Sequence, residues 1–203
     1  PLGNLRMGIL CNNERWKMYI PEAEIGFTTE NYLQEKFIQL NNAIQVNASV
    51  IPNEDVAAAV FNLEDNSTLL IDKQWIAKRG SGKNKIQFKG ETPIILKERW
   101  DLFLFNEEVL KKDFDLLSTA RKSKKLSKTN TLIGDEKLLF LEEGAKLEGA
   151  ILNTTTGPIY IGKDSEVMEG SLIRGPFALC DNSTLKLGTK VYGASTIGPH
   201  CKI

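Results

Sequence analysis

Ile161-Gly162-Lys163-Asp164-Ser165-Glu166-Val167 opens the run that decides the fold. Steps of six from Ile161 reach Val167, Ile173, Leu179, Leu185, Val191, Ile197 and Ile203, all branched aliphatic residues. Leu, Ile and Val make up about a quarter of the chain, so eight hits at one phase have odds on the order of one in 10⁵ per starting point. Four places after a stop the residue is small (Ser165, Ser171, Ser183, Thr189, Ser195, Cys201), with Phe177 the exception. A period of six fits neither the three-and-four spacing of a helix nor the alternation of a two-sided strand. It is the spacing of a hexapeptide parallel β-helix, with three short strands per triangular coil and the aliphatic residue inside. Gly162, Gly170, Gly175, Gly188, Gly193 and Gly198 fall where turns are expected.

Upstream, Leu141 and Leu147 keep the six-residue spacing. The phase then slips: Leu147 plus six is Asn153, and the count resumes at Ile161. Asn153–Pro158 is therefore expected to hold two extra residues, as a loop on one corner. Between Ser118 and Asn130 lie Arg121, Lys122, Lys124, Lys125 and Lys128 with no acidic residue. This reads as a solvated basic linker; the alternative is a contact with the phosphates of a nucleotide or coenzyme A. Before it, strands at Met7–Cys11 and Ile44–Ile51 alternate with helical patterns after Thr28 or Thr29 (Tyr32, Leu33, Phe37 and Ile38 apolar) and after Pro52-Asn53 (Val56, Val60 and Leu63 inward). Further strands at Thr68–Ala77, Lys85–Lys89 and Ile94–Leu96 and a helix over Asp101–Leu117 complete an α/β sandwich. The expected division is 1–125 for this domain and 126–203 for the coils.

The 203 residues balance 26 basic against 26 acidic side chains, which gives no field for nucleic acid or an acidic membrane surface. Cys11, Cys180 and Cys201 show no CxxC spacing, as expected of free thiols in a reducing compartment. No signal peptide or long apolar span is evident, so the default expectation is a cytoplasmic protein. Pro1 is not Met, and Ile203 is itself an inward stop without a cap over it, so a fragment is expected.

Gly80-Ser81-Gly82-Lys83 lacks the first Gly and the final Ser or Thr of a P-loop, since Ala77 and Asn84 stand there, and it reads as a hairpin loop. His200, the single histidine, reads as a structural turn residue beside Pro199. Asp101, after Trp100 at the end of an apolar strand, stands where it can cap the helix that follows. Arg6 and Lys97 are candidates for phosphate binding or plain surface residues.

Several segments in order resemble one bacterial family: Leu5-Arg6-Met7-Gly8-Ile9-Leu10, Glu14-Arg15-Trp16, Asn47-Ala48-Ser49-Val50-Ile51-Pro52, Trp100-Asp101-Leu102-Phe103, Gly157-Pro158-Ile159-Tyr160-Ile161-Gly162 and Ile173-Arg174-Gly175-Pro176. The family is that of sugar-1-phosphate nucleotidyltransferases with a C-terminal hexapeptide-repeat acyltransferase domain. It is an alternative form of the bifunctional N-acetylglucosamine-1-phosphate uridyltransferase and glucosamine-1-phosphate acetyltransferase. The resemblance implies a nucleotidyltransferase-like (Rossmann-like) α/β domain, without its first strand and phosphate loop, then a left-handed parallel β-helix cut at its C-terminal end. It also implies UTP and a sugar 1-phosphate as substrates, Mg²⁺ held by Asp101, and substrate contacts from Arg6, Asn47 and Lys97. Acetyl-CoA would be a co-substrate of the intact protein, the assembly a homotrimer, and the catalytic histidine would lie beyond Ile203. The alternative is a non-catalytic nucleotide-sugar-binding or assembly module that uses the β-helix for oligomerisation.

Overall fold

The computed structural model describes residues 1–119 and 121–203. They form two compact units: Pro1–Leu5 with Cys11–Arg99, and Arg6–Leu10 with Trp100–Ile203. Composition alone puts a break at 125/126. Compactness groups the helical segment after Trp100 with the coils, because its apolar face packs there.

The first unit is mixed α/β. Its helices are α1 (Asn12–Tyr19), α2 (Asn31–Gln34) and α3 (Glu54–Phe61). One sheet has the order Gln45–Val46, Gln74–Lys78, Ser67–Ile71, Asn84–Gln87, with two antiparallel pairings and one parallel. Val50–Ile51 pairs antiparallel with Ile94–Ile95. Among the described residues these ladders are mixed or antiparallel, and the unit as a whole is the mixed α/β arrangement expected of a nucleotidyltransferase-like domain. The Asn53 side chain accepts from Val56 N at 2.9 Å and starts α3. Val56, Val60 and Leu63 then turn inward against Val50, Leu69, Ile76 and Ala77, as the sequence predicts.

Two expectations fail in this unit. Gly80–Lys83 does not close a hairpin, because Ser67–Ile71 lies between the strands it joins. It crosses the end of that strand, where Thr68 Oγ1 donates to Gly82 O at 2.8 Å. The helix expected after Thr29 shrinks to α2, and Tyr32 and Ile38 stay exposed. Gln34 holds this loop instead: its Oε1 accepts from Thr29 N, and its Nε2 donates to Phe27 O and Phe37 O.

In the second unit the chain visits three parallel sheets in strict rotation. One holds Leu139–Leu141, Ile159–Ile161, Phe177–Leu179 and Ser195–Ile197. The next holds Lys146–Leu147, Glu166–Val167 and Thr184–Leu185. The last holds Thr131–Ile133, Ile151–Asn153, Leu172–Arg174 and Lys190–Val191. These stacks fit the expected β-helix. The aliphatic stops from Ile161 to Leu185 are buried in one cluster with Leu141, Leu147, Leu152 and Ile197, and Val191 packs against it half-buried. Phe177 breaks the small-residue pattern because it also points inward and is fully buried.

The phase slip is resolved differently from the count. The stop after Leu147 is Leu152, fully buried, and not Asn153. The step to Leu152 is one residue short of six and the step from Leu152 to Ile161 three residues over it, a net surplus of two. The coil from Leu147 to Val167 accordingly takes twenty residues, and that from Val167 to Leu185 takes eighteen. Corners stack as well: Gly144, Asp164, Asn182 and His200 all have φ between 54° and 78°. Only Gly adopts this region freely, with Asn, Asp and His the tolerated alternatives. His200 is thus an exposed corner residue, in line with its structural reading.

Ser123–Asn130 is not a solvated linker. Lys124 N donates to Leu141 O at 2.8 Å, and Ser123 Oγ accepts from Leu141 N at 2.9 Å. Asn130 Nδ2 donates to Leu147 O at 2.8 Å and its Oδ1 accepts from Ala150 N at 2.9 Å, while Leu126 packs on the core. The segment caps the first coil, whose backbone groups have no preceding coil to pair with.

Candidate functional site

The outward side chains of the first sheet, Phe140, Tyr160 and Ala178, form a column. Helices α4 (Asp101–Leu104) and α5 (Asn106–Ser118) follow Trp100, and Leu110, Phe114 and Leu117 of α5 cover this column together with Ile9. Tyr160 OH donates to Glu142 Oε1 at 2.8 Å, and Arg121 pairs with Glu142 Oε2 at 2.6 Å while lying over the Phe140 ring. Burial, then the bond to Glu142, pushes the Tyr160 hydroxyl far above its usual range.

The same face of α5 grips Arg6–Leu10. Asp113 is fully buried, and its Oδ2 accepts from Ile9 N at 2.8 Å and Leu10 N at 3.0 Å. Asn106 Oδ1 accepts from Gly8 N at 2.7 Å. Thr196, on the last strand of the first sheet, donates from Oγ1 to Gly8 O at 2.9 Å. Gly8 has a φ of 70°, and a Cβ there would stand 2.6 Å from Asp113 Oδ2. Arg6 Nη1 donates to Ile9 O and closes the segment on itself.

A shallow hollow of about 300 Å³ opens beside this segment, lined by Arg6, Leu102, Phe103, Asn106, Ala194, Thr196 and Gly198. Arg6, Asn106 and Thr196 give this hollow a polar side, and Leu102, Phe103 and Ala194 an apolar one, with Arg6 its single charged group. Asp101 opens α4 and is buried, 9% exposed. The cap position belongs to Trp100, which makes no side-chain cap bond, so Asp101 is the first helical residue and not the N-cap.

Asn47 and Lys97 belong to the first unit. Asn47 Nδ2 donates to Trp75 O at 3.0 Å, and its Oδ1 accepts from Ser49 N and Ser49 Oγ. Both ends of its amide therefore hold the turn before Val50. Lys97 is exposed, just beyond the bond from Leu96 N to Ser49 O, which puts it beside that turn. The structure thus brings Arg6 into one unit with Asp101, and Asn47 with Lys97 in the other. Sequence reasoning missed Asn106, Asp113 and Thr196. The available signal was their place: Asn106 and Asp113 are polar residues in the otherwise apolar stripe Leu110, Phe114, Leu117.

Among the described residues no three His, Cys, Asp or Glu side chains gather as a metal cluster, and no helix is long and apolar enough to cross a membrane. No curated protein matches the chain. A family model described as sugar nucleotidyl transferase does match residues 1–122. That is more than half of the sequence, and it includes Arg6, Asn47, Lys97 and Asp101, so the chain belongs to the sugar nucleotidyl transferase family.

Proposed function

We propose that the protein transfers a uridylyl group from UTP to N-acetylglucosamine 1-phosphate. The carrying observation is the family match over residues 1–122, which supports nucleoside triphosphate and sugar phosphate substrates in general. The choice of base and sugar rests on the motif resemblance. An oxygen of the sugar phosphate attacks the α-phosphorus of UTP, the bond to the β-phosphate oxygen breaks, and pyrophosphate leaves. Every reacting group is anionic, so positive charge and fixed geometry carry most of the catalysis. Arg6 supplies a guanidinium that matches phosphate oxygens, and Lys97 an exposed ammonium. Asn47 serves by holding the turn before Val50.

Mg²⁺, when bound with the triphosphate, offsets the charge that develops in transfer. It would be held by one or two carboxylates plus substrate phosphates, and Asp101 would supply one of those carboxylates. The coils we assign to a left-handed β-helix, with acetyl transfer from acetyl-CoA as a partner activity of the intact protein and a homotrimer as its assembly. A pyrophosphate-release assay over a panel of nucleoside triphosphates and sugar 1-phosphates tests the main reading. UTP with N-acetylglucosamine 1-phosphate is expected to give the highest kcat/KM, and Asp101→Asn to lower it by about 10²-fold at limiting Mg²⁺. Normal turnover by Asp101→Asn removes the metal role, and no pyrophosphate release with any pair removes the activity.

A further inference from the structure

We propose that Thr196, a residue of the coils, is a positioning residue for nucleotidyl transfer, acting through the segment that carries Arg6. The inference rests on the reading above that Arg6 holds a phosphate of the substrates. Thr196 lies outside the stretch that matches the family, yet two observations tie it to Arg6. It lines the same hollow. Its hydroxyl also donates to Gly8 O at 2.9 Å and reaches Asn106 Oδ1 at 3.4 Å, while Asn106 accepts from Gly8 N at 2.7 Å. Gly8 is thus held at both its amide and its carbonyl, the amide by α5 and the carbonyl by the coils. Its φ of 70° lies in the region that residues with a side chain rarely adopt, so the direction of the segment turns at this glycine. Arg6 closes onto Ile9 O, so whatever fixes Gly8 also fixes the direction of the guanidinium. A misplaced guanidinium weakens phosphate binding more than it alters bond breaking, which predicts an effect on KM before kcat.

Thr196→Val keeps the shape and removes the donor; Thr196→Ser restores the donor. With UTP and N-acetylglucosamine 1-phosphate, Thr196→Val is expected to raise one KM by about 3- to 10-fold, the size of one hydrogen bond, with kcat within about twofold. Thr196→Ser should return KM to the parent value. Combined with Arg6→Ala, Thr196→Val should add nothing, because both act through one group. Amide exchange at Gly8–Leu10 should quicken in Thr196→Val, a readout independent of turnover. A parent KM in Thr196→Val beside a raised KM in Arg6→Ala overturns the proposal and leaves the Arg6 reading standing. An unchanged KM in Arg6→Ala overturns both. Unchanged exchange at Gly8–Leu10 overturns the positioning role whatever the kinetics.

Discussion

Gly8 shows how a single backbone position can be fixed by partners a hundred residues away. Its carbonyl and amide are both bonded, its φ is positive, and Asp113 and Val109 leave no room for a methyl group. Gly8→Ala is expected to cost about 1–3 kcal/mol, read as a lower urea midpoint at unchanged m-value. Nothing in Met7-Gly8-Ile9 announces this demand, since the groups that impose it sit on α5 and the coils. Asp101 and Arg6 stood out in the sequence because unusual neighbours mark them; Asp113 did not, because a buried carboxylate looks like any surface one until its two amide donors are known. Tyr160 gives a pH test. Its folded pKa is raised by burial and by Glu142. Above about pH 10 the unfolded chain releases this proton while the folded chain keeps it, so stability falls as pH rises. Denaturant midpoints from pH 9 to 11 should fall more steeply for the parent than for Tyr160→Phe.

At the level of elements, the hexad stops were legible because one side-chain type recurs at one phase, and packing brings those from Ile161 to Ile197 together while Ile203 is exposed. The capping segment was not, because a cap has no period. Its charges made it look like a linker, whereas Ser123, Leu126, Asn130 and both the backbone and the ammonium of Lys124 are bonded to or packed on the first coil. Asn130→Ala removes two bonds to the first coil and is expected to cost about 1–3 kcal/mol in chemical denaturation, with Lys122→Ala and Lys125→Ala near neutral. Val191→Asp tests the register. It sets a carboxylate against the core below Ile173, and an expected loss of about 2–4 kcal/mol should appear as a lower denaturation midpoint. An unchanged midpoint would mean that Val191 does not face inward.

For the molecule as a whole, one face of the stack carries Ile151 and Leu172 side by side and Ile133 on the next strand opposite Asn153, each about 40% exposed, with Tyr192 more open still. Apolar groups grouped on a flat exterior suit a partner surface. The homotrimer proposed above predicts three times the chain mass by light scattering at micromolar concentration, and Leu172→Lys is expected to shift that mass toward one chain. A single-chain mass for the parent would remove the trimer.

The bond between Thr196 and Gly8 also sets a clock. The two residues are 188 positions apart in sequence. A ribosome adds about 5–20 residues per second, so Gly8 waits on the order of 10–40 s before Thr196 has even been made. During that interval Met7 and Ile9, both buried in the finished protein, have neither α5 nor the coils to cover them for most of the time. The segment that carries Arg6 therefore leaves the ribosome well before the residues that hold it in place, and it finds its final position late.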